Sequence, residues 1–151
     1  MKQLTIFTPT YNRAHTLPRT YDSLRNQKCK EFIWLIVDDG STDQTAELVR
    51  KWQAENTAFE IRYIYKPNGG MHTAHNTAYE NIDTELNVCI DSDDCVAENA
   101  VSAILEKWNK VKNKGYAGLI GLDADFSGKV IGKGFPKGMQ ETTHCIGYLC
   151  L

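Results

Sequence analysis

An α/β fold with a mostly parallel open sheet and helices on both faces is what this chain predicts, and three observations carry it. Strand-like apolar runs alternate with amphipathic segments over the first 125 residues. Phe32-Ile33-Trp34-Leu35-Ile36-Val37 has the unbroken apolar character of a strand buried on both sides. A polar cluster follows each of the first four strand-like runs. Strand-helix-strand alternation repeated this often builds a parallel sheet through crossover helices.

The elements follow in order. Residues 4–8 read as a strand ending at Pro9. A helix over 17–26 follows from Leu17, Tyr21 and Leu24 at helical spacing, with Pro18 tolerated in its first turn. After the strand at 32–37, Asp38-Asp39-Gly40 marks a turn. Ser41-Thr42-Asp43-Gln44 has capping-box spacing and predicts a helix through Leu48, Val49 and Trp52. Residues 59–65 read as a third strand, with Ile61, Tyr63 and Tyr65 alternating against Arg62 and Ile64. Pro67-Asn68-Gly69-Gly70 breaks it, and a helix follows with Met71, Ala74, Ala78 and Ile82 on one face. A fourth strand at 86–90 leads into Asp91-Ser92-Asp93-Asp94. A helix over 98–111 turns Val101, Ile104, Leu105 and Trp108 inward, and 119–122 reads as a fifth strand. Beyond Asp123 the rhythm fails: 126–130 suggests a hairpin turn, 132–138 a loop rich in glycine and lysine. The run 145–151 reads as a strand interrupted mid-fold.

At 151 residues the chain has the size of one domain with ample apolar content. A net charge of −2 offers no electrostatic case for nucleic acid. No signal-peptide run or membrane-length segment occurs, so a soluble cytoplasmic domain is expected, with the inner membrane face as a peripheral station. Five cysteines without a Cys-x-x-Cys pair suit a reducing compartment. The spacing of Cys89, Cys95, His144 and Cys145 matches no structural zinc pattern.

The chemistry gathers at the strand ends, where ligands of open parallel sheets bind. Asp91, Asp93 and Asp94 repel one another unless a cation or solvent intervenes. A hard divalent ion, Mg²⁺ or Mn²⁺, suits their oxygen donors and brings phosphate substrates with it. The alternative is a polar turn with Asp94 capping the next helix. No Gly-x-Gly-x-x-Gly follows the first strand and no Walker lysine loop occurs, so phosphate is expected to be held by metal bridging.

In order and spacing, Thr8-Pro9-Thr10-Tyr11-Asn12-Arg13, Val37-Asp38-Asp39-Gly40-Ser41-Thr42-Asp43, Asn68-Gly69-Gly70 leading to Ala74-His75-Asn76, and Ile90-Asp91-Ser92-Asp93-Asp94 resemble family 2 glycosyltransferases. The resemblance covers about the first 125 residues and implies a GT-A fold. It implies inverting transfer from a nucleotide-diphosphate sugar to a saccharide or lipid-linked acceptor with Mn²⁺ or Mg²⁺. Nucleotide contacts are implied for Pro9, Thr10, Tyr11, Arg13, Asp39, Asn68, Gly69, Gly70, Asn76, Asp91 and Ser92, and metal ligation for Asp93 and Asp91.

Within that set Tyr11 would stack on the base. Asp39 would accept from a base imide, favouring uracil or thymine, hence a UDP-sugar. Asp38 and Asp94 are read as structural. Glycines at 69 and 70 allow close backbone approach, or serve a plain turn. His75 stands where the family usually has arginine, and the His72–His75 pair reads as a solvated helix start.

The base that deprotonates the acceptor is expected beyond Leu151, since Glu141 is the one acidic residue after Asp125 and matches no catalytic motif. Residues 1–151 are thus expected to be a nucleotide-sugar-binding domain, with the motifs in 1–125 and an incomplete acceptor-side region at 126–151. The chain is expected to be inactive in transfer and to self-associate around Ile146, Tyr148 and Leu149. A non-catalytic nucleotide-sugar-binding module and a nucleotidyltransferase are the alternatives.

Overall fold

The computed structural model describes residues 2–55, 57–125 and 127–132, together with the backbone of 146–150. Its centre is a parallel four-stranded sheet of β1 (Leu4–Thr10), β2 (Phe32–Asp38), β3 (Glu60–Tyr65) and β4 (Leu86–Cys89), in the order β3-β2-β1-β4. Every residue of β1 and β2 is buried, which is why both read as continuous apolar runs. Strands β3 and β4 flank them and are partly exposed.

Period-two alternation divides the side chains between the faces. Leu4, Ile6, Phe32, Trp34 and Ile36 join one core with residues of α1 (Leu17–Arg25), α2 (Thr45–Ala54) and α4 (Ala100–Val111). Phe7, Leu35 and Val37 face Ala74 and Ala78 of α3 (Met71–Asn81) on the other side. Two alanines let α3 sit close to the sheet. Tyr21, Trp34 and Trp52 stack in series, with 4.3 Å between the Tyr21 and Trp52 ring centroids. Two of these rings also hydrogen-bond: Trp34 Nε1 donates to Thr8 Oγ1 at 3.0 Å, and the Tyr21 hydroxyl to Glu55 at 2.5 Å.

Two local expectations are corrected. The second helix is not launched by a Ser41 capping box. Asp43 accepts the Thr45 N–H at 3.0 Å and the Thr45 hydroxyl at 2.6 Å, while Ser41 Oγ accepts the Asn12 N–H at 2.8 Å. Nor does Asp94 cap the next helix, because α4 begins only at Ala100.

The intervening segment is fastened along α1 instead. Thr20 Oγ1 donates to the Asp94 carbonyl at 2.8 Å, and the Lys28 N–H to the Glu98 carbonyl at 2.9 Å. The buried Gln27 amide donates to the Ala97 carbonyl and accepts the Val101 N–H. These bonds satisfy backbone groups that no ladder or helix serves.

Strand β5 (Leu119–Leu122) lies outside the four-stranded sheet and pairs in parallel with β6 (Ile146–Cys150). The hairpin expected near 126–130 is present as an antiparallel bridge between Ala124 and Val130, with Asp125 accepting the Ser127 and Lys129 N–H groups. Glu141, His144, Cys145 and the side chains of Ile146, Tyr148 and Leu149 lie outside the described residues. Among the described residues no helix is long and apolar enough to cross a membrane.

Candidate functional site

The carboxyl ends of all four sheet strands open onto one cleft of ≈ 390 Å³. From the end of β1 come Pro9, Thr10, Tyr11 and Arg13, and from the end of β2 Asp39. The loop after β3 supplies Asn68 and Gly70, and the segment after β4 Asp91, Ser92 and Asp93. The structure adds Met71 and Ala74 from α3, which periodicity assigned to helix packing. Gly69 and Asn76 do not line the cleft. Gly69 turns its N–H to Asp39, and Asn76 is exposed farther along α3. A smaller cleft of ≈ 260 Å³ between β4 and β5 is lined mainly by apolar residues such as Leu86 and Ile104 and gathers no comparable polar set.

Thr10 and Tyr11 present opposite characters. Thr10 is 4% exposed, and its hydroxyl is buried without a hydrogen-bond partner among the described residues. A buried polar atom left unpaired costs about 1–3 kcal/mol, so a bound ligand or water has something to satisfy there. Tyr11 is 49% exposed, an aromatic ring standing at the rim.

The β1 loop is held by Asn12, whose φ of 53° is left-handed. Asparagine tolerates that region better than most residues. Its side-chain oxygen accepts the Thr42 N–H at 2.8 Å, and Asp43 accepts the Ala14 N–H at 3.0 Å. Burial would push the Asp43 carboxyl up, but these donors and Thr45 hold it below its usual range. Neither Asn12 nor Asp43 touches the cleft, and both fix the loop that does.

The two aspartates at the end of β2, Asp38 within the strand and Asp39 just after it, divide their work. Asp38 is fully buried and accepts the Ser41 N–H at 2.8 Å and the Tyr63 hydroxyl at 2.6 Å, a structural duty as expected. That bond, after burial, raises the Tyr63 hydroxyl well above its ordinary value.

Asp39, 3% exposed, reaches the cleft. It accepts from Lys66 Nζ, from the Gly69 N–H at 3.0 Å and from the Gly70 N–H at 2.7 Å. Burial disfavours its charge, yet these donors outweigh it and hold the carboxyl below the usual range. Lys66 is the participant that sequence reading missed. Gly40, at φ +84°, is what lets the loops meet: a Cβ there would lie 2.7 Å from the Asn68 nitrogen. His75 packs edge-on against Phe7 at 5.3 Å and is absent from the cleft lining.

The acidic end carries excess negative charge. The Asp93 carboxylate meets Arg13 at 4.0 Å, with both side chains nearly half exposed, and Arg19 donates to the Asp93 carbonyl. Burial, then Asp91, Asp93 and Asp123, raise the Asp94 carboxyl above its ordinary value. Among the described residues no three His, Cys, Asp or Glu side chains converge as a metal cage. Two carboxylates in one cleft still fit Mg²⁺ or Mn²⁺, which completes its shell with phosphate oxygens and water.

A sequence model of glycosyl transferase family 2 matches residues 5–127. The chondroitin synthase of Pasteurella multocida (strain Pm70) is 31% identical over 132 residues, which are 87% of this chain and 14% of that protein. The GalNAc(5)-diNAcBac-PP-undecaprenol beta-1,3-glucosyltransferase of Campylobacter jejuni is 28% identical over 144 residues, 88% of this chain and 45% of that protein.

Two solved structures share the fold. S. aureus TarS 1-349 in complex with UDP-GlcNAc gives a TM-score of 0.68 at 23% identity, covering 93% of this chain and 38% of that one. The mannosyltransferase PcManGT of Pyrobaculum calidifontis, in complex with GDP-Man and Mn²⁺, gives 0.65 at 24% identity, covering 70% and 32%. The chain thus spans less than half the length of each of these proteins.

Proposed function

The chain belongs to glycosyl transferase family 2, and from that premise we propose that it is the donor-binding part of an inverting, metal-dependent glycosyltransferase that uses a UDP-sugar and a saccharide or lipid-linked acceptor. The observation that carries this reading is the meeting, in one cleft, of an exposed aromatic ring, an ionised acceptor and a carboxylate pair: Tyr11, Asp39, and Asp91 with Asp93. Tyr11 stacks on the base and Asp39 accepts its imide N–H. The Thr10 hydroxyl gains a partner when the nucleotide covers it. Asp91 and Asp93 hold the divalent ion, which when bound neutralises charge on the diphosphate leaving group. UDP-GlcNAc and Mn²⁺ in structures of the same fold support the donor class and the ion.

In the transfer step an acceptor hydroxyl attacks the anomeric carbon opposite the diphosphate, a base takes its proton, and the sugar–phosphate C–O bond breaks. The base belongs to the acceptor side, outside the residues described. Calorimetry of UDP binding with Mn²⁺ and with excess chelator tests the reading. Binding in Mn²⁺ that collapses in chelator is expected, and equal affinity in both overturns the metal role.

A further inference from the structure

We propose that Lys66 is a positioning residue for base selection, clamping Asp39 so that one acceptor site of its carboxylate is offered to the imide N–H of a uracil-type base. The inference deepens the nucleotide reading above and rests on it.

Lys66 follows β3 directly, and its N–H bonds to the Asp38 carbonyl at 2.9 Å, so parallel pairing of β2 and β3 sets it beside Asp39. Its ammonium has three protons and three acceptors: Asp39 Oδ1, the Pro67 carbonyl at 2.7 Å and Thr73 Oγ1 at 2.7 Å. No proton is left for a phosphate, so Lys66 acts on Asp39 rather than on the diphosphate.

Thr73 gives its single hydroxyl proton to the Gly70 carbonyl at 2.8 Å, so its 3.4 Å contact with Asp39 is not a donation. A carboxylate offers about four lone-pair sites. Lys66 and Gly69 take those on Oδ1, and Gly70 takes one on Oδ2. One site remains, on Oδ2, in a residue that lines the cleft.

Without Lys66 the buried carboxyl would keep two amide donors while losing its counter-charge. Desolvation then favours protonation. A protonated Asp39 donates, and so suits the acceptor nitrogen of cytosine instead of the imide of uracil. Lys66 thereby sets which pyrimidine fits.

The other charged or titratable groups around Asp39 are few. Asp38 is committed to Ser41 and Tyr63, and the His72 ring lies beside Gly70. Arg13, Asp91 and Asp93 stand on the same cleft. Those last three act on the diphosphate end, which UDP and CDP share, so a ratio of the two affinities cancels them.

The experiment measures UDP and CDP affinities in Mn²⁺ from about pH 5 to about pH 8 for the unaltered chain, Lys66→Met and Lys66→Arg. The unaltered chain should prefer UDP by a ratio that is flat with pH. Lys66→Met should lower the ratio about tenfold and make it fall further toward acid, and Lys66→Arg should restore the flat profile. Thr73→Val, which removes one anchor of the ammonium, should shift the ratio in the same direction by less, and stands in if Lys66→Met does not fold.

A Lys66→Met or Thr73→Val chain that keeps both the ratio and the flat profile overturns the role of Lys66 alone. An unaltered chain that binds UDP and CDP equally overturns the base-recognition reading and this proposal with it.

Discussion

Gly40→Ala tests how tightly the loops after β2 and β3 are fitted. At φ +84° an alanine enters left-handed backbone, at about 1–2 kcal/mol. Its Cβ would also lie 2.7 Å from the Asn68 backbone nitrogen, too close for any real Cβ. That neighbour is main chain and cannot rotate away, so the loop must shift, at about 1–3 kcal/mol more. The expected loss is about 2–5 kcal/mol. Gly115→Ala isolates the contact: its φ is +77°, but nothing lies within 4 Å of the added carbon, so only the backbone cost of about 1–2 kcal/mol applies. Urea denaturation of both variants reads the difference. The same shift moves the Gly69 and Gly70 N–H groups off Asp39, so UDP affinity should fall about tenfold for Gly40→Ala and stay unchanged for Gly115→Ala. Equal destabilisation by the two substitutions would refute the argument.

Other expectations follow from the same geometry. Tyr11→Ala should weaken binding of every nucleotide about tenfold or more with little change in urea midpoint, since base stacking on an aromatic ring is worth about 1–3 kcal/mol; calorimetry beside denaturation checks it. Asp43→Ala should cost about 1–2 kcal/mol near neutral pH. Because the folded-state Asp43 carboxyl is held low, its contribution is present above the ordinary carboxylate value and is lost as pH falls through the depressed one. Denaturation at about pH 7 and at about pH 2.5 should therefore show the variant's deficit shrinking in acid. Asp94→Asn should stabilise the chain by about 0.2–1 kcal/mol at low salt. The raised Asp94 carboxyl makes its charge unfavourable as pH climbs, so the gain should appear above the ordinary carboxylate range and vanish in acid. A loss of stability there would mean that the Asp94 side chain, and not only its backbone, holds the segment to α1.

Sequence reading reached the sheet because β1 and β2 are buried throughout and their composition says so directly. It reached most of the cleft because four polar clusters follow four parallel strands, and parallel pairing brings such ends to one edge. What it missed depends on contacts between loops distant in sequence. Ser41-x-x-Gln44 is a sound local capping pattern, but Asn12, brought in 29 residues away, takes the Ser41 hydroxyl and leaves the helix end to Asp43. Lys66 is an ordinary strand-end lysine until β2 and β3 set it against Asp39. Asp94 looks like a helix cap until Thr20 and Gln27 hold its segment alongside α1. Gly69 and Asn76 followed from motif position alone, and neither lines the cleft.

The strand order carries a consequence for how the cleft comes into being. β1 pairs with β2 from Leu4 opposite Phe32 to Thr10 opposite Asp38, and with β4 from Leu4 opposite Leu86 to Phe7 opposite Cys89, which closes a longer loop. Closing the longer loop costs more chain entropy, and its pairing is rewarded only once the intervening elements are in place. The base side of the cleft, from Tyr11 to Asp39 and Gly70, can thus assemble from the first three strands and α3 during synthesis. The Asp91–Asp93 side must wait for β4 to dock. Amide exchange in the finished protein should carry that history, with the N–H groups that join β4 to β1 opening before those that join β1 to β2. The half of the cleft that handles phosphate is then the first to loosen, while the half that reads the base still holds.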